Sequence, residues 1–295
     1  MPQTDWIYAF ASVRGNGHIA EDIPCQDAHR VEHYENFTIA VICDGAGSCE
    51  NSDKGANQVA DSCLIHFGKR IIESGWADVL PAETIWQETA KQTLRLIRDD
   101  TEKFAQSEDL SFKSISCTVI VVVSLPGGLL VTHIGDGRAG YCTANGDWLS
   151  ALAPFRGEEV NQTVFITSDI WEEPTINHYL ESRVIPGPVT AFALLSDGCE
   201  KVSFEVNLYN KETERFYDPN LPYSPFFRPL QKILLTLHEQ QKTQEEINML
   251  WAGFLTNGLE RLQLETDDKT MILAVRLPDA TPSMETDHAE PNTTH

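Results

Sequence analysis

Three β-branched, apolar runs in this 295-residue chain end in the same dipeptide. FTIAVIC (37–43) runs into Asp44-Gly45, LLVTHIG (129–135) into Asp136-Gly137, and AFALLS (191–196) into Asp197-Gly198. A fourth acidic pair, Asp267-Asp268, leads into the apolar run TMILAVRL (270–277). For a single Asp-Gly pair, tight-turn chemistry is a sufficient account. Three of them, each at the end of an apolar strand, shift the balance from turn chemistry towards a site, provided that those ends meet at one edge of the fold. Carboxylates meeting there ~4 Å apart repel by about 4 kcal/mol at an effective dielectric of 20. They protonate, separate or bind cations, and an all-oxygen cluster selects hard divalent ions such as Mg²⁺ or Mn²⁺. Glycine after each Asp lets a backbone carbonyl approach the ion too.

The rest of the chain reads around those strands. WIYAFASV (6–13) has strand character, and 14–27 is a Gly- and Pro-bearing loop. Helical spacing over 51–74 puts Val59, Cys63, Phe67 and Ile71 on one face. Pro81 is placed to open a second helix running to about 106, with Ile85, Leu94, Ile97 and Phe104 along it. A meander follows: ISCTVIVVVSL (115–125), GLLVTHIG (128–135), RAGYCT (138–143), an Asn145-Gly146 turn and WLSAL (148–152). TVFIT (163–167) reads as a further strand, and helical stretches fall near 226–240 and 243–263. This order predicts an α+β fold, a central antiparallel β-sandwich flanked by α-helices. One domain is expected over 1–277, with 199–265 as a flap near the metal edge. Phe216, Tyr217, Tyr223, Phe226 and Phe227 would form the local core of that flap. The acidic tail 278–295 is almost free of apolar residues and is expected to be disordered.

Charge and cysteine content exclude several function classes. Asp and Glu number 44 against 22 Lys and Arg, a formal charge of −22. That surface repels phosphate backbones and anionic membranes, so neither nucleic acid nor membrane is expected as a partner. The seven cysteines are odd in number, include no C-x-x-C and sit partly inside apolar runs. Reduced thiols in a cytoplasmic protein are the simplest account. No basic-plus-apolar leader opens the sequence, and no stretch reaches the ~18 apolar residues of a membrane span. GNGHIA (15–20) fits G-x-G-x-x-A, but Pro24 and the polar run around it oppose the helix a dinucleotide site needs. No cysteine has Arg six positions on, and G-x-S-x-G, P-loop and H-E-x-x-H patterns are missing from the sequence.

The ordered set QDA (26–28), VICDGAGS (41–48), SCTVIVVV (116–123), HIGDGRAG (133–140), LLSDG (194–198) and DDKTMILAV (267–275) resembles the motif series of type 2C (PPM) metal-dependent protein phosphatases. The likeness runs over roughly residues 10–277. It implies four layers, α-β-β-α, with a dinuclear metal centre at one end of the sandwich. In that pattern Asp44 bridges two Mn²⁺ or Mg²⁺ ions, and the carbonyl of Gly45 serves the second. Asp197 and Asp267 serve the first, Asp136 with Asp197 a weaker third, and Asp27 orders metal-bound water. The implied reaction hydrolyses phosphoserine or phosphothreonine by in-line attack of a hydroxide held between the ions. A phosphoprotein substrate and a cognate serine/threonine kinase are the implied partners.

The chain departs from the pattern at three positions. Gln26 stands where many relatives carry an acidic ligand of the second metal. Asp22 stands where many carry a phosphate-gripping arginine, and Ala46 where eukaryotic members have histidine. The stretch GNGHIAEDIPCQDA (15–28) resembles instead a divergent bacterial branch with a G-x-x-H…PCQDA opening. Arg14 and His18 are then the candidates for the phosphate contact, an ordinary turn-capping histidine being the other reading of His18. Asp22 and Gln26 also motivate an alternative, a pseudophosphatase that binds a phosphoprotein or a kinase. Hydrolysis of another small phosphoester is a third reading. Cys25 is expected to be structural, because the neighbouring carboxylates raise its thiol pKa.

Overall fold

The structure is a computed structural model and describes residues 5–155 and 163–278. Strand β1 (Trp6–Val13) leads through a short helix, α1 (Asn16–Glu21), into the hairpin β2 (Ala28–His33) and β3 (Thr38–Cys43). Two long helices follow, α2 (Ser52–Glu73) and α3 (Glu83–Ser107). Then come β4 (Val119–Leu125), β5 (Gly128–Ile134), β6 (Arg138–Thr143), β7 (Trp148–Ser150), β8 (Leu180–Pro186) and β9 (Val189–Leu195). The segment before the last strand holds α4 (Glu200–Ser203), β10 (Phe204–Glu205), β11 (Leu208–Asn210), β12 (Arg215–Tyr217) and β13 (Leu221–Pro222). It continues through α5 (Ser224–Glu239), α6 (Gln244–Asn257) and α7 (Glu260–Gln263) to β14 (Lys269–Arg276).

Two five-stranded antiparallel sheets, β2-β3-β4-β5-β8 and β1-β14-β9-β6-β7, stack face to face. Alternation along each strand decides what fills the space between them. Ala40, Ile42, Ile120, Val122 and Val131 point inward from one sheet, and Tyr8, Phe192, Leu194, Ile272 and Ala274 from the other. The opposite face of the first sheet carries Ile39, Val41, Val121 and Val123, and α2 and α3 cover it with Val59, Phe67, Ile71, Trp86 and Ile97. The opposite face of the second carries Ile7, Ala193, Leu195, Leu273 and Val275 under Phe227, Leu234, Ile247, Trp251 and Leu255 of α5 and α6. Both faces of the central strands are therefore buried. That is why β3 and β4 read as unbroken apolar runs rather than alternating ones. Each fully buried Leu, Ile or Phe contributes roughly 1.5–3 kcal/mol, so the layers hold without covalent staples. The four-layer α-β-β-α arrangement is the one expected.

The local differences have physical reasons. TVFIT (163–167) is not a strand: Val164 and Ile166 are buried against the α2–α3 side, and Ile166 donates one backbone hydrogen bond to Cys117 O at 3.0 Å. Its hydrophobicity reports burial, not sheet pairing. The edge strands β2 and β8 carry AHRVEH and LESRVIP, mixed sequences because each has only one paired neighbour. The 14–27 segment is not all loop, since α1 forms and stops before Pro24. Within 199–265, α5 and α6 are the outer helical layer of the second sheet, and the small β10–β13 pieces form separate two-stranded pairs, with Phe204 of β10 packed into that layer's core. Phe226 and Phe227 belong to that layer's core, whereas Phe216, Tyr217 and Tyr223 are exposed rather than packed. The acidic tail from 279 onward lies outside the described residues.

Candidate metal centre

Sheet register brings the acidic strand ends together. β3 and β5 both flank β4 antiparallel, so they run the same way and finish at the same edge, at Asp44 and Asp136. β2 pairs Ala28 with Cys43, so it begins at that edge directly after Asp27. In the second sheet β9 ends beside the start of β14 and of β6 (Leu195 opposite Met271 and Arg138), which puts Asp197 next to Asp267. β1 ends opposite Lys269, which delivers Arg14 and Gly15 to the same place. A hydrogen bond crosses between the sheets there: Ser196 Oγ donates to Asp27 Oδ2 at 2.8 Å.

The electrostatics confirm the convergence. Burial raises the Asp44 carboxyl well above its ordinary value, and Asp27, Asp197, Asp136 and Asp267 push it further. Asp197 is raised to about 8, by burial first and then by Asp267, Asp136 and Asp27. Asp27 rises to about 7 through burial and the nearby Asp268 and Asp267, although hydrogen bonds from Thr270 and Ser196 hold it down. Five carboxylates thus feel one another at one edge. Among the described residues no three His, Cys, Asp or Glu side chains close into a ready-made metal cage.

The donors nevertheless suit hard divalent ions. Gly45 sits in an isolated bridge opposite Cys117, flanked by Thr118 N donating to Asp44 O (2.8 Å) and Ala46 N to Ser116 O (2.9 Å). In that geometry the carbonyl of Gly45 is turned away from β4 and takes no part in that ladder. A Cβ at residue 45 would meet Gln26 O at 2.5 Å, so only glycine permits this approach. Gln26 is buried, its Nε2 donates to Cys49 O at 3.3 Å, and its Oε1 has no hydrogen-bond partner. An orphaned buried oxygen is costly unless something binds it, and a cation would.

The remaining sequence candidates lie at the rim. Arg14 is partly exposed; Nη1 donates to Ile23 O at 3.2 Å and stands 3.9 Å from Asp22. Asp22 adopts a left-handed conformation (φ 55°) that ends α1 and holds its side chain in solvent. His18 is mostly covered, with Nδ1 2.9 Å from Asp268 Oδ1. Cys25 is inert as expected: burial raises its thiol most, and Asp27 and Asp268 add to that.

Three contributors were not picked out from sequence. Ser196 fixes Asp27, and its only signal is its place before Asp197. Asp268 is buried while Asp267 is exposed, a distinction that two adjacent identical residues do not display. Arg138 is fully buried, bonds Glu200 (3.0 Å), Asn220 (2.7 Å) and Asp218, and lies 5.1 Å from the Phe204 ring. Its signal was a lone charge opening an otherwise small and apolar strand. Arg138 follows Asp136-Gly137, and Glu200 follows Asp197 closely, so this network ties two acidic strand ends to the β10–β13 region. Arg138→Met removes a buried cation from facing carboxylates, and the expected loss is about 3 kcal/mol. For a chain of this size that lowers Tm by roughly 6–12 °C, measurable by calorimetry. A Tm within 2 °C of wild type contradicts that role.

Residues 14–249 match the family model of protein phosphatase 2C. The chain belongs to the protein phosphatase 2C family. A curated relative, serine/threonine-protein phosphatase 3 of Escherichia coli (strain K12), is 28% identical over 280 residues, covering 92% of this chain and 98% of that one. Among solved structures, a bacterial serine phosphatase has the same fold with a TM-score of 0.55 at 16% identity, over 93% of this chain and 99% of the other. The catalytic domain of PstP, solved in complex with two manganese ions, gives 0.52 at 16% identity, over 92% and 97%. A phosphatase 2C chain is a metal-dependent protein phosphatase.

Proposed function

We propose that this phosphatase 2C enzyme hydrolyses phosphoserine and phosphothreonine in protein substrates at the acidic edge. The observation that supports the reading is the register that brings Asp44, Asp136, Asp197 and Asp267 to one edge, where burial and neighbouring aspartates raise both Asp44 and Asp197 and a bound cation would offset that repulsion. Asp44, Asp197, Asp267 and the Gly45 carbonyl would hold two Mn²⁺ or Mg²⁺ ions, with Asp136 and Asp197 offering a third position. Bound there, such ions supply water activated at neutral pH and neutralise phosphoryl charge. Asp27, held by Ser196, would offer an acceptor to that water. Arg14 at the rim is the cation available for the substrate phosphate, with guanidinium donors beyond the one Ile23 takes. A pseudophosphatase is disfavoured, because all the proposed carboxylate ligands are retained at one edge despite their repulsion. A partner serine/threonine kinase and a cytoplasmic setting complete the reading. Free cysteines and the lack of a membrane-length apolar helix among the described residues accord with it.

The orphaned oxygen of Gln26 makes this testable. A carboxylate ~4 Å from a divalent ion gives roughly 8 kcal/mol of gross attraction at an effective dielectric of 20, most of it offset by desolvation. A small remainder suffices, since ~1.4 kcal/mol is tenfold in affinity. Gln26→Glu is therefore expected to lower the Mn²⁺ concentration for half-maximal activity by about tenfold. An unchanged half-saturation point would remove residue 26 from the metal site.

A further inference from the structure

The GNGH stretch that resembled a nucleotide loop has another role. Its backbone is stitched to the segment preceding β14: Asn16 N donates to Glu265 O and Gly17 N to Thr266 O, each at 3.0 Å. Gly15 lies so close that a Cβ there would meet the carbonyl oxygens of Thr266 and Asp267 at 2.2 Å. At the centre is the Asp268 carboxylate, 1% exposed. Its Oδ1 accepts from Gly15 N at 2.9 Å and its Oδ2 from Gln26 N at 2.6 Å. His18 Nδ1 stands 2.9 Å from the same Oδ1, a close polar contact without hydrogen-bond alignment. The Asp268 amide in turn donates to Asp267 Oδ1 at 2.8 Å.

One buried carboxylate therefore fastens three separate segments: the strap at 15–18, the Gln26-Asp27 entry to β2, and the Asp267-Asp268 entry to β14. We infer that Asp268 and His18 are a positioning pair that sets the spacing between Asp267 and Gln26-Asp27, with His18 acting on Asp268 and not on substrate phosphate. The inference rests on the metal reading of Asp267. A carboxylate suits this place because both of its oxygens accept from backbone N–H groups. An asparagine offers one oxygen and turns an NH₂ toward the other donor, leaving a buried clash of donors. The ligands then lose their preset spacing, and metal binding has to restore it.

The experiment compares wild type, Asp268→Asn, His18→Ala and His18→Gln, with Mn²⁺ binding measured by calorimetry and turnover followed with p-nitrophenyl phosphate. Asp268→Asn and His18→Ala are expected to weaken Mn²⁺ binding about tenfold, with KM at saturating Mn²⁺ within twofold of wild type. His18→Gln, which keeps a polar side chain able to reach Asp268, should recover most of the affinity lost in His18→Ala. If Asp268→Asn does not fold, the two His18 variants decide alone. Unaltered Mn²⁺ affinity in His18→Ala together with a raised KM would overturn the proposal and return His18 to the phosphate. Wild type that is active yet binds no Mn²⁺ would strike the metal reading itself, an outcome distinct from variants that bind as wild type does.

Discussion

Asp44→Asn and Asp197→Asn are each expected to reduce turnover by a thousandfold or more, while the metal-free protein becomes more stable. The loss follows from removing a charged ligand from the centre that stabilises the transferring phosphoryl group, an effect on the order of 4 kcal/mol. The gain follows from relief of repulsion. Both carboxylates are held against their preference, by burial first and by neighbouring aspartates second. The sign is set by linkage: a carboxyl whose folded pKa is raised stabilises the fold only while it carries its proton. For Asp197 that contribution is complete below about 4 and is lost as pH rises through about 8. Chelated wild type should therefore melt progressively lower between pH 4 and 8, and Asp197→Asn should melt less steeply. Asparagine keeps the side-chain volume, so no cavity offsets the gain. Thermal melts in chelator at pH 6 and 8 read the difference, with the variant expected higher by several degrees at pH 8. A large fall in Tm would make these aspartates structural.

How much of this was legible depended on how each residue signals its surroundings. FTIAVIC could be read because both faces of β3 are buried, and the Asp-Gly after it marked where the strand stops. The same held for Asp136 and Asp197, whose strands are equally apolar. Register then does what sequence does not display: it decides that these ends, and the beginnings of β2, β6 and β14, share one edge. AHRVEH and LESRVIP escaped because an edge strand with a solvated side needs no apolar run. TVFIT misled in the opposite direction, since Val164 and Ile166 are buried without a ladder. Phe216 and Tyr217 were expected inside on hydrophobicity alone, yet the β11–β12 hairpin is too small to cover them, and Phe216 has the tilted ring of exposed Tyr209 beside it (5.1 Å between centroids). Arg138 and Asp268 were silent because a buried charge is defined by partners far away in sequence, 62–82 residues for Arg138 and more than 240 for Asp268.

The chemistry at the acidic edge predicts an absolute need for a divalent cation. Asp44, Asp136, Asp197 and Asp267 are proposed as metal ligands, a role that uses their oxygens and charge and leaves the attack on phosphorus to water. The cysteines near them are poor substitutes: burial pushes up the Cys25 and Cys199 thiols most, with Asp27 and Asp268 adding to the first and Asp27 and Asp197 to the second. A protein phosphatase without a nucleophilic side chain depends on activated water, and losing the activating ion removes the largest part of its rate enhancement. The direct measurement is hydrolysis of a phosphothreonine peptide by chelator-stripped protein, with Mn²⁺ then added back stepwise. Turnover is expected to fall to the uncatalysed background after stripping and to return in full with Mn²⁺. Activity that survives excess chelator would contradict the account.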